Sequence, residues 1–145
     1  MKTQLSLPIP ADRIIPHRPP MRLIDRLMEF DRLQGVVESI IPLDGMFITE
    51  DGSIEPVAMV ELVAQSFAAV KGYADLLGGK PVGKGFLVGV KRFRFPGTAY
   101  GGDRLLTVIT RVGETIEFAL AEGRVMRGEE VIASGNVMVW IPKEG

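Results

Sequence analysis

The chain contains no cysteine. That excludes a disulfide framework, a thiolate nucleophile and a cysteine-ligated metal centre. Histidine is nearly missing too: His17 stands alone, and one imidazole without thiolates falls short of a zinc ligand set. No metal site and no cofactor are expected. Charge of one sign is not in excess. The 17 Lys and Arg face 18 Asp and Glu, a formal net charge of −1, so no global basic field points to nucleic acid. No apolar run approaches the roughly 18 residues of a membrane span. The opening "MKTQLSLPIPADRIIPHRPPM" is broken by prolines and has no continuous apolar stretch, so no secretory signal is expected. A soluble, cytoplasmic protein with no membrane or nucleic-acid partner is therefore the default expectation.

What is present suffices for a core. The chain has 145 residues, 46% of them hydrophobic, which fits one domain over 1–145. The proline-rich start holds at most a short helical turn around Met21–Leu27. "QGVVESIIPL" (Gln34–Leu43) is rich in β-branched residues and reads as a strand. Two Asp-Gly pairs follow as turn signals. Pro56 then opens "PVAMVELVAQSFAAV", and the helix it starts is expected to run to about Leu77 and stop at Gly78-Gly79. Its first turns are apolar nearly all the way round, so most sides must be buried. After it come four strand candidates, "GFLVGVKRFRF", "RLLTVITRV", "TIEFALAEGRVMR" and "EEVIASGNVMVWI", joined by short turns that suggest antiparallel hairpins. This is an α+β plan: a curved antiparallel sheet of about five strands around one long helix. Such a sheet leaves one apolar face and an edge open, which a second copy would close, so a homodimer is expected.

Four polar features stand out. "GGKPVGKG" (Gly78–Gly85) mimics a phosphate-binding loop, but Gly85 replaces the required Ser or Thr. The segment also follows a helix and opens a strand, the reverse of that loop's order. It reads as a flexible helix-to-strand connector that can sit at a pocket mouth. His17 has no G-x-S-x-G partner motif and reads as a structural group anchoring the N-terminal segment. Glu61 and Gln65 are spaced i, i+4 and share a helix face. They form either a polar stripe reaching solvent or a general acid/base with an amide that orients water or substrate. In "KRFRF", strand alternation puts Lys91, Phe93 and Phe95 on one face and Arg92 and Arg94 on the other. That is either a solvated face over a core face or a basic contact for an acyl carrier protein or a coenzyme A phosphate. Met59, Val63, Phe67, Phe86, Leu87 and Phe93 either line an apolar channel or simply form core.

Three of these stretches carry a family resemblance. "LPIPADRIIPHRPPMRLIDRL", "MVELVAQ" and "GVKRFRFPGTAYGGDRL" resemble, in order and spacing, motifs of the FabZ-type β-hydroxyacyl-acyl carrier protein dehydratases. The matching positions include His17, Arg18, Asp25 and Arg26, then Glu61, Ala64 and Gln65, then Gly89, Arg94, Phe95, Gly102 and Asp103. The resemblance implies a hotdog fold, a side-by-side dimer, and a site that joins a histidine of one subunit to the helix glutamate of the other. Carried over, the glutamate is Glu61. The family histidine, 14 residues earlier, is Phe47 here, which makes Phe47 an acyl-pocket candidate beside Gly89. The family's oxyanion glycine falls on Pro56, which has no N–H; the Val57 amide is the nearest substitute. The chain is also similar to histidine-lacking dehydratase-like proteins of aryl-polyene-type biosynthesis. The resemblance thus implies a 3-hydroxyacyl thioester dehydratase or its non-autonomous subunit, working as a homodimer or as a heterodimer with a histidine-bearing homologue. A hotdog thioesterase using Glu61, and an acyl-binding scaffold without turnover, are the alternatives.

Overall fold

Pro56 starts helix α1, which runs Pro56–Leu77. It ends where the Gly78 N–H turns back to the carbonyls of Ala74 and Asp75, each at 3.1 Å, and where Gly79 takes the left-handed φ of +72° that a side chain disfavours. Most of the helix circumference is buried, through Ala58, Met59, Leu62, Val63, Phe67 and Val70 among others. One stripe stays half-exposed: Val60, Glu61, Ala64, Ala68 and Lys71.

In this computed structural model, which describes residues 5–142, α1 lies across a single antiparallel sheet. The strands are β1 (Ile9–Pro10), β2 (Arg26–Phe30), β3 (Gln34–Ile40), β4 (Phe86–Arg94), β5 (Arg104–Glu114), β6 (Phe118–Arg127) and β7 (Glu130–Trp140). Their order in the sheet is β1-β2-β3-β5-β6-β7-β4. A long helix wrapped by such a sheet is the hotdog arrangement that the resemblance implies.

The differences from the sequence reading have physical causes. The sheet has seven strands among the described residues, not about five. β1 is too short to leave a pattern, and "RLMEF" of β2 is built from helix-formers. Its pairing with β3 overrides propensity. The expected helical turn at Met21–Leu27 is instead a turn closed by the Met21 and Arg22 amides on the Arg18 carbonyl, at 2.9 and 3.1 Å, running into β2. The turn Gly101-Gly102-Asp103 does not close a hairpin. β4 pairs with β7 at one edge while β5 joins β3, so the chain crosses the sheet between them. The predicted alternation of "KRFRF" fails at Lys91, while Phe93 and Phe95 stay together, their rings 5.5 Å apart. A bulge between Lys91 and Arg94 carries Arg92 at φ +55°. The extra residue puts Lys91 and Arg94 on one face, opposite Asn136 and Ser134. Phe93 turns to the other face, against Gly135, where a Cβ would stand 2.2 Å from its ring.

Two further features frame the site. Gly72 lets α1 approach the N-terminal segment closely, since a Cβ there would lie 2.0 Å from the Ile14 carbonyl oxygen. β4, at the sheet edge, exposes Phe86, Leu87, Val88 and Val90. On the other side of the sheet, Glu38 is only 5% exposed and lies between Arg104 and Arg26, at 2.7 and 2.8 Å. The Arg104 hydrogen bond, joined by that of Arg26, holds the Glu38 carboxyl below the usual carboxylate range against its own burial.

Candidate functional site

The half-exposed stripe of α1 is the floor of a cavity of about 240 Å³. Glu61 stands at one end and Lys71 and Asp75 at the other, with the small residues Ala64 and Ala68 between. Small side chains at these helix positions leave room where larger ones would fill the trough. Phe86 and Leu87 of β4 and Val139 of β7 supply apolar walls. The connector after the helix contributes Gly83, Lys84 and Gly85, so it does sit at this cavity.

Glu61 is held by one neighbour and left open to another. Its Oε2 accepts a hydrogen bond from Gln65 Nε2 at 2.8 Å. Its side chain stays 34% exposed. Gln65 is fully buried: Nε2 also donates to the Met21 carbonyl at 2.8 Å, and Oε1 accepts from the Leu23 amide at 2.7 Å. Both hydrogens of the amide are therefore used. The expectation that Gln65 orients water or substrate is corrected here: with its donors occupied, it orients Glu61 and ties the segment around Leu23 to the helix.

The sequence reading missed the group on the other side of Glu61. His17 Nε2 lies 3.9 Å from Glu61 Oε2, beyond hydrogen-bond length, and both line the cavity. His17 Nδ1 is buried and has no hydrogen-bond partner among the described residues, which favours the imidazole tautomer with its hydrogen on Nε2, toward Glu61. His17 is not the anchor of the N-terminal segment. Arg18 performs that task, its guanidinium donating to the carbonyls of Ile15, His17 and Asp12 at 2.9 to 3.2 Å. The only signal for His17 in the sequence was its place in the "PHRPPM" stretch.

The remaining candidates divide. Phe67, Phe86 and Leu87 line the cavity. Met59 and Val63 do not: both are at most 1% exposed and face the sheet side of the helix, Val63 directly over Gly123. Phe93 packs under Gly135, and Gly89 pairs with Met138 on the edge strand; neither lines the cavity. Phe47 is half-buried beside Pro19 and Pro20, in a different cavity. Val57 is the second residue of α1, 70% exposed, and lies outside the lining. Lys91, Arg92 and Arg94 are all exposed on β4. Among the described residues no cluster of His, Asp or Glu suits a metal ion, and no helix is long and apolar enough to cross a membrane.

Fold and site define a hotdog protein with a carboxylate at the end of an apolar cavity. Comparisons agree and narrow the class. The dehydratase heterocomplex ApeI:P from Xenorhabdus doucetiae superposes with a TM-score of 0.86 at 20% identity, over 94% of this chain and 93% of that one. The PaaI protein of E. coli, from the phenylacetic acid degradation operon, does so with a TM-score of 0.63 at 11% identity, over 79% and 80%. In sequence, the 3-hydroxyacyl-[acyl-carrier-protein] dehydratase FabZ of Syntrophomonas wolfei is 31% identical over 131 residues, covering 88% of this chain and 85% of that protein. Residues 9–145 match the ApeP-like family, described as ApeP dehydratase. The chain belongs to this ApeP-like dehydratase family, a family of hydro-lyases.

Proposed function

We propose that the chain dehydrates 3-hydroxyacyl thioesters borne on an acyl carrier protein, with Glu61 as an acid/base group. The observation that carries this is Glu61 itself: a carboxylate set by a saturated, buried Gln65 at the end of an apolar cavity shaped for a chain. Dehydration removes a proton from the α-carbon and returns one to the departing β-hydroxyl, which leaves as water as the double bond forms. A carboxylate near the reacting carbons can serve either transfer. The positive end of α1, with the Val57 amide the first available after Pro56, suits the thioester oxygen. The exposed cations Lys91, Arg92 and Arg94 suit an acidic carrier protein, or the phosphates of a coenzyme A thioester. The cytoplasm is the compartment this reading implies. Membership of a dehydratase family favours dehydration over thioester hydrolysis or passive acyl binding.

Position 47 bears phenylalanine, so the second proton-transfer group of the relatives is missing there. The reading that follows is a two-chain site: a hotdog homologue bearing a histidine pairs along the apolar β4 edge, and its imidazole faces Glu61. The open edge supports this, as does the likeness to a dehydratase heterocomplex. A homodimer along the same edge is the simpler assembly.

The test is dehydration of a 3-hydroxyacyl-acyl carrier protein by the chain alone and mixed with such a homologue. Activity in the mixture that disappears in Glu61→Ala is expected. No activity in either case, with Glu61→Ala indistinguishable from the parent, refutes the proposal.

A further inference from the structure

Three anchors fix the segment that carries His17. Before it, Gly72 brings α1 so close that a Cβ there would stand 2.0 Å from the Ile14 carbonyl oxygen. After it, Gln65 accepts from the Leu23 amide at 2.7 Å and donates to the Met21 carbonyl at 2.8 Å. Between the two, the Arg18 guanidinium donates to the carbonyls of Ile15 and His17, each at 2.9 Å. The imidazole is thus placed from the backbone up, beside Pro16 in the lining of the Glu61 cavity. A donor fixed before substrate arrives costs no reorganisation when the reaction occurs.

Tautomer and spacing decide what this ring can do. With Nδ1 buried and without a hydrogen-bond partner among the described residues, the hydrogen belongs on Nε2. Such a ring gives a hydrogen bond rather than a proton. The 3.9 Å between Nε2 and Glu61 Oε2 is too long for a direct bond. It is the right width for one oxygen atom that meets both groups at about 2.8 Å. The two side chains are 32% and 34% exposed, so the gap is open to a ligand. Gln65 cannot enter it, since both its amide hydrogens are used. We propose that the oxygen held in this gap is the β-hydroxyl of a 3-hydroxyacyl thioester, and that His17 is a catalytic residue that donates a hydrogen bond to it as it leaves. The inference rests on the dehydratase reading of Glu61 and commits that carboxyl to the acid role. The base on the histidine-bearing homologue takes the α-proton, and the C–H electron pair becomes the new π bond. The Cβ–O bond breaks with its pair on oxygen, and the Glu61 proton turns the leaving group into water. The proton on the base returns to Glu61 through solvent. Negative charge grows on the departing oxygen, so the Nε2–H bond strengthens in the transition state. His17 keeps its hydrogen throughout and does not replace the base absent at Phe47.

The experiment mixes the full chain with a histidine-bearing homologue and follows single turnovers of two pantetheine thioesters of equal length, one 3-hydroxyacyl and one 3-chloroacyl. Chloride departs without a proton or a strong hydrogen bond, so its elimination needs the base but not His17. His17→Leu should slow loss of water by about 10²–10³-fold, the usual effect of removing one such donor, and leave elimination of chloride nearly unchanged. His17→Gln, which keeps an N–H, should fall between His17→Leu and the parent. Both compounds are read on one preparation, so any unfolded fraction cancels from the ratio of their rates. A ratio that is the same in His17→Leu and the parent, with dehydration still dependent on Glu61, overturns the role of His17 and leaves the proposed reaction standing. No dehydration in any mixture overturns the reaction and this inference with it.

Discussion

Replacing Gln65 with leucine separates the two tasks of this residue, because leucine nearly matches its volume but carries no polar atom. Little cavity or overpacking energy is then involved. The change removes the acceptor of the Leu23 amide, a buried bond of 2.7 Å, and one donor each from the Met21 carbonyl and Glu61. These losses are not equal. Met21 is 46% exposed and the Glu61 side chain 34% exposed, so water replaces much of what they lose. Leu23 is 7% exposed, and its N–H is left without a partner. A buried unsatisfied group of this kind costs about 1–3 kcal/mol, and that range is the expected destabilisation. The assay is urea unfolding, with amide hydrogen exchange followed at Leu23. Midpoint and exchange protection should fall together, while dehydration should fall through kcat as Glu61 loses its orientation. A variant within about 0.5 kcal/mol of the parent, with Leu23 still protected, would refute the reasoning that Gln65 is the clamp.

Three other outcomes are expected. His17→Gln should lower dehydration by less than Glu61→Ala does, with KM little changed; equal activity in His17→Gln and the parent would show that the imidazole is a bystander. Gly72→Ala gains about 1 kcal/mol of helix propensity but sets a Cβ 2.0 Å from the Ile14 carbonyl oxygen, and against overpacking of about 1–3 kcal/mol the gain leaves a net loss of up to about 2 kcal/mol; a thermal midpoint at or above that of the parent contradicts it. Glu38 has its carboxyl held below the usual range by Arg104 and Arg26, so the ion cluster stabilises the fold above the unfolded carboxylate pKa. That contribution is lost as pH falls through the lowered folded value. The stability gap between parent and Glu38→Gln should therefore be present at neutral pH and close on acidification, and a gap independent of pH counts against the cluster.

Local chemistry was legible because its causes are local. Pro56 and Gly78 bound the helix as their backbone properties require. The strands after Phe86 follow from β-branched runs, and the Glu61–Gln65 pair follows from i, i+4 geometry alone. Contacts set by distant pairing were not legible. The crossing of β4 to the far edge, the bulge at Arg92 and the meeting of His17 with Glu61 all depend on which strands pair, and Gln65 joins Leu23 across 42 positions of sequence. By itself, the sequence determined one long, mostly buried helix whose apolar first turns carry one carboxylate, Glu61, with Gln65 one turn on. Only the tertiary structure decided what that carboxylate meets, because β2 and β3 carry the N-terminal segment over α1 and bring the sole imidazole to within 3.9 Å of it.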